Sequence, residues 1–121
     1  MTAPIFAICA AASGVTSLMG TGPVRLYPFG EAPEGVQLPY AVWQQIGGAP
    51  ENLLGERPEL DTYSLQVDVY AATGSSARAV TQALRDAIEL HAYITRWGGE
   101  SRDAETGRYR SSFDVDWLVP R

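Results

Sequence analysis

The clearest pattern in the chain lies between Leu38 and Tyr70, where two strand-like stretches flank a loop rich in Gly, Pro and Glu. Within Thr62–Tyr70, the residues Tyr63, Leu65, Val67 and Val69 alternate with Ser64, Gln66, Asp68 and Tyr70. A period of two puts the sets on opposite faces of a strand, so one face is predicted to be covered and the other polar. Tyr40–Ile46 is predicted to be the companion strand. Its sides, Tyr40, Val42, Gln44 and Ile46 against Ala41, Trp43 and Gln45, are less distinct, which predicts a strand covered on both faces. Trp43 then needs a second apolar neighbour, and another subunit is one source. The connection Gly47–Asp61 is too long for a tight hairpin, and loops of that length tend to be functional or mobile. Leu53 and Leu54 at its middle either fold back on their own domain or meet a partner.

An amphipathic helix follows almost at once. Ala77, Val80, Leu84, Ala87, Ile88 and His91 form its apolar stripe, while Arg78, Gln82, Arg85, Asp86 and Glu89 face outward. Thr73 or Ser75 can cap it. At the front of the chain Ile5, Ile8, Ala12, Val15 and Met19 recur at helical spacing, with Thr2 and Pro4 suited to a helix start. Ser13 and Gly14 interrupt the stripe, predicting a kink or break with Ser13 capping a second segment to Met19. Val24–Tyr27, stopped by Pro28, predicts a brief edge strand, and Phe29–Pro39 a connecting loop. Near the end, Phe113, Val115, Trp117 and Val119 alternate with Asp114, Asp116 and Leu118. Gly107 can reverse the chain so that Arg96–Arg102 pairs with Arg108–Val119, and Gly98 and Gly99 predict a bulge. The order of elements predicts one α+β domain over residues 1–121. Its sheet is mainly antiparallel, with about four to five strands and two helices packed on one face.

Composition narrows the function classes. A length of 121 residues suits one domain with a modest core. The net charge of -5 disfavours tight nucleic-acid binding, whose affinity comes mostly from cations neutralising phosphates. All the cations are Arg, a residue enriched in interfaces where Lys is depleted, although a GC-rich coding sequence produces the same bias. Cys9 is the only cysteine, which excludes an intrachain disulfide and reads as a small buried hydrophobe. The short apolar run near the N-terminus has no basic residue before it, which argues against a signal peptide and a membrane span.

Convergent chemistry is sparse. His91, the only histidine, reads as a core or helix-terminal residue rather than a catalytic one. One His and one Cys do not make a zinc set. Asp68, Asp114 and Asp116 fall on polar strand faces. They form either a solvated surface or a divalent-ion site for phosphodiester hydrolysis, and no Lys, His or second acidic motif completes the latter. No catalytic, cofactor-binding or metal residue is assigned.

Four blocks in order, "PIFAICAAASGVTSLMG", "VRLYPFGEAPEGVQLPYAVWQQIGGAPENLLGERPELD", "LQVDVYAATGSSARAVTQALRDAI" and "RDAETGRYRSSFDVDW", resemble the tail completion proteins, or tail terminators, of long-tailed bacteriophages and prophages. The similarity covers nearly the whole chain. It implies a structural virion protein, assembled in the bacterial host cytoplasm, that forms a typically hexameric ring on the head-proximal end of the tail tube. Such a ring stops tube polymerisation and docks the head connector. Its partners are copies of itself, the tube protein and the connector, with DNA passing through unbound and no membrane involved. Under that resemblance Trp43, Leu53, Leu54 and Arg57 are candidates for ring or tube contacts. Gln66, Asp68, Asp114 and Asp116 are candidates for the channel lining. The competing readings are a head–tail connector or neck protein, a nuclease using the three aspartates, and a monomeric ligand-binding module.

Overall fold

A computed structural model describes residues 2–121. The described residues form helices α1 (Ile5–Ala10), α2 (Ser13–Met19) and α3 (Gly74–Ile88), and strands β1 (Leu26–Pro28), β2 (Tyr40–Pro50), β3 (Leu60–Ala71), β4 (Tyr93–Arg102) and β5 (Tyr109–Pro120). The strands make one five-stranded sheet in the order β1-β2-β3-β5-β4. Only the short edge strand β1 runs parallel to its neighbour; every other pair is antiparallel. This is the expected α+β class.

The alternation in β3 and β5 sets the core. Their ladder runs from Leu60 opposite Pro120 to Ala71 opposite Tyr109 without a register shift. Opposed residues share a face, so Leu65 and Val67 line up with Val115 and Phe113. These side chains join Ile5, Cys9, Val15, Met19, Val80, Leu84 and Ile88 in a single apolar cluster. Helix α3 begins at Thr73, whose hydroxyl oxygen accepts from the Ser76 N–H at 3.1 Å. That satisfies one of the donors a helix start leaves free.

Several expectations are corrected. The N-terminal unit is two helices, so the described residues contain three helices where two were expected. Ala12 is extended (φ -91, ψ 117) and stands at the α2 N-cap without a side-chain cap, while Ser13 is already helical. The break lets Ile5 and Cys9 of α1 and Val15 and Met19 of α2 turn into the same cluster. His91 is not part of the α3 stripe. The helix ends at Ile88, and His91 lies exposed in the following turn, its N–H donating to the Ile88 carbonyl at 2.8 Å.

Strand β2 continues to Pro50 and β3 starts at Leu60, so the expected loop shrinks to residues 51–59. A register shift between Gln45 and Gly47 is followed by Gly48 at φ 149, where a Cβ would strike the Thr62 carbonyl. Only glycine fits that approach. From Gln45 onward β2 is exposed in this chain rather than covered on both faces. Strands β4 and β5 form the expected hairpin, with the Gly107 N–H donating to the Asp103 carbonyl at 2.8 Å. A register shift between Trp97 and Gly99 supplies the bulge, with Gly99 at φ 96.

Candidate functional site

Strand pairing brings Gln66, Asp68, Asp114 and Asp116 onto the sheet face opposite the core residues. Gln66 stands across from Asp114, Ser64 from Asp116 and Asp68 from Ser112. Successive carboxylates along β5 are about 7 Å apart at the strand pitch. Each is engaged differently. Asp116 Oδ1 accepts from the Ser64 hydroxyl at 2.7 Å. Asp68 Oδ1 accepts from Arg110 Nη2 at 2.8 Å and from Gln66 Nε2 at 3.2 Å. Asp114 Oδ2 lies 3.8 Å from Arg96 Nη1, while its Oδ1 is buried with no hydrogen-bond partner among the described residues. The face is therefore a charge mosaic rather than an acidic strip.

Arg110 is the residue that sequence reasoning missed here, although it keeps the same period of two as Ser112, Asp114 and Asp116. Arg96 carried no such signal, because the bulges in β4 break its alternation. Beside the pair, Tyr40 and Tyr70 stack with ring centroids 5.0 Å apart, and Arg108 Nη1 donates to the Tyr40 hydroxyl at 3.2 Å. Burial, helped by the Asp68 charge, pushes the Tyr70 hydroxyl above its ordinary range. Among the described residues no group of three His, Cys, Asp or Glu side chains is placed to hold a metal ion. The aspartates are tied to Arg110, Arg96 and Ser64 instead.

The other candidates do not form one patch. Leu54 projects fully into solvent and Leu53 is half exposed, on a turn closed by the Glu56 N–H donating to the Leu53 carbonyl at 3.2 Å. Glu51, at the root of the loop, accepts from the Thr62 hydroxyl. Arg57 is exposed on the same loop. Trp43 stands well away, opposite Val67, and packs half-buried against the domain's own core. Sequence reasoning overlooked Trp97, which is 56% exposed on β4 with its ring tilted on Phe113 at 5.7 Å. A large aromatic in an otherwise polar stretch was the available signal. No helix among the described residues is long and apolar enough to cross a membrane.

A solved chain titled "Virion of native gene transfer agent (GTA) particle" has this fold. The two superpose with a TM-score of 0.76 and 15% identity, over 97% of this chain and 92% of that one. The molecule is thus an α+β domain of a kind that also occurs in a gene transfer agent virion. The model of one family, tail completion protein gp17, matches residues 3–120. The chain belongs to that family and is a structural component of the phage tail. No curated protein matches the sequence.

Proposed function

We propose that copies of this chain close into a hexameric ring on the head-proximal end of the tail tube, where the ring stops polymerisation and offers a docking surface to the head connector. The family match over residues 3–120 carries this reading. Symmetry supplies its physical sense: head-to-tail contacts that close by rotation fix the size of a ring, and stacking on a tube end of like symmetry terminates growth. Exposed apolar side chains such as Leu54 and Trp97 supply surface for such contacts. The loop bearing Leu53, Leu54 and Arg57 faces a neighbouring subunit or ring, and Trp43 is the second contact candidate.

In this assembly the face of Gln66, Asp68, Asp114 and Asp116 lines the channel. Three carboxylates against Arg96 and Arg110 leave a surplus of negative charge, which repels passing DNA. The triple variant D68N/D114N/D116N exposes the guanidiniums without their partners, so DNA is expected to be retained and its ejection slowed. Unchanged ejection would remove the channel assignment. The ring itself is tested by electron microscopy of particles lacking this polypeptide. Overlong or variable tails are expected, whereas tails of normal length overturn the proposal. Normal tails that fail to join heads assign the chain to the neck instead.

A further inference from the structure

A ring built head to tail needs two different, complementary patches on every copy. One patch is the β2–β3 loop, which carries the exposed Leu53 and Leu54 together with Glu51, Glu56, Glu59 and Arg57, with Arg121 beside Glu59 at its base. The other is a groove between α3 and β4. Arg78, Gln82 and Arg85 wall it on the helix side, Trp97 and Glu100 on the strand side, and Ser111 lies at its floor. Trp97 offers the groove an apolar ring that its own chain leaves half exposed. An apolar tip flanked by carboxylates thus matches a groove in which one half-exposed aromatic ring, Trp97, lies near the guanidiniums of Arg78 and Arg85 and the carboxylate of Glu100. Arg78 is held to Glu100 at 2.9 Å and Arg85 to Asp86 at 2.9 Å. Both pairs are solvent-exposed, and exchanging such pairs for new ones changes little free energy.

The two patches of one chain cannot meet. The loop adjoins Leu60 at the start of β3, whereas Ser111 stands opposite Val69. The stretch from Leu60 to Val69, at about 3.4 Å per residue, separates them by about 30 Å. In addition β4 lies across β5 from β3. Only a second copy can bring tip and groove together.

We infer that the Leu53–Leu54 tip of one copy seats in the α3–β4 groove of the next, against Trp97, with Glu51 and Glu56 facing Arg78 and Arg85. The contact presupposes the ring proposed above and names the surfaces that close it. Cys9 is buried, so engineered cysteines supply the reactive thiols. Full-length L54C and Q82C proteins, alone and mixed, are incubated with purified tail tubes and treated with a short thiol cross-linker. The products are read on a denaturing gel, and rings are scored by electron microscopy. Covalent dimers are expected only in the mixture, and an L54C/Q82C double variant is expected to give a ladder. Rings without tip-to-groove cross-links overturn the inference and leave the ring standing. Cross-linked open chains without rings do the reverse, and neither product overturns both. Capture of L54C by the tube subunit also overturns the inference. Leu54→Glu changes a fully exposed side chain, so its fold is preserved. Its self-association by sedimentation is expected to weaken about tenfold or more, as for a central apolar anchor; unchanged association overturns the inference.

Discussion

Phe113 is the side chain on which sheet, helix α3 and the edge aromatic converge, and truncating it tests the packing directly. It is fully buried, opposite Val67 on β3 and Trp97 on β4. A core Phe→Ala change costs about 3–5 kcal/mol, from lost transfer free energy and the cavity left behind. A domain of this length has a total stability of roughly 6–18 kcal/mol. Its unfolding entropy, about 2.1 cal/mol/K per residue, sums to about 0.25 kcal/mol/K, so a loss near 4 kcal/mol lowers Tm by about 16 °C. Trp97→Ala removes a half-exposed ring and one aromatic pair, for a loss of about 2 kcal/mol and about 8 °C. Because the two rings touch, the double variant falls short of additivity by about 1 kcal/mol and melts about 20 °C below the parent. Calorimetry on dilute protein keeps self-association out of the measured midpoint. A Trp97→Ala loss equal to that of Phe113→Ala, or strict additivity, would refute this account of the core.

Two further outcomes follow from local contacts. Thr73→Ala removes the hydroxyl that accepts from Ser76 N–H, with an expected loss of about 1 kcal/mol and about 4 °C in Tm, while Ser75→Ala stays within about 0.5 kcal/mol. Equal losses at the two positions would mean that Thr73 is not the cap. At the sheet end, Arg121 donates to Asp61 at 2.9 and 3.1 Å, and these hydrogen bonds hold Asp61 below the usual carboxylate range. The pair's contribution to stability is therefore fully present above the unfolded value of about 3.9 and is lost as pH falls through the lowered folded value. Arg121→Ala should return Asp61 to the ordinary range in an NMR carboxyl titration; an unmoved midpoint refutes the assignment.

The strongest elements were legible because their side chains report burial. Period-two alternation located β3 and β5, and the stripe from Ala77 to Ile88 located α3. Where the backbone alone decides, the pattern is silent. Gly47–Pro50 has no alternation to read, yet it extends β2 by main-chain pairing with Asp61–Ser64. The α3 stripe ran on to His91 in sequence, but the chain must leave the helix to enter β4 at Tyr93, which leaves Leu90 exposed. The polar-face residues were correctly grouped by alternation. Their charge balance was not, because Arg96 reaches Asp114 only through a strand whose bulges hide its register.

Those bulges also limit how copies can meet. Strand β4 is a sheet edge, and an unpaired edge invites pairing with another chain unless something blunts it. Here two register shifts, after Ile94 and after Trp97, distort the edge, and Arg96, Glu100 and Arg102 place charges along it. At the opposite margin β1 covers β2 only from Ala41 to Trp43, and the irregularity at Gly47 disrupts the remainder. Continuous sheet extension from copy to copy is thus disfavoured at both margins. The same bulge that blunts β4 leaves Trp97 open beside α3, so the features that discourage backbone pairing leave a side-chain groove as the available contact. A fully exposed leucine at the far end of the β2–β3 hairpin is the complementary half. Deleting Gly98, which removes the second of the two β4 irregularities, should therefore weaken tip-to-groove cross-linking and favour edge-to-edge aggregates. Undiminished cross-linking in that variant would separate the groove from the bulge.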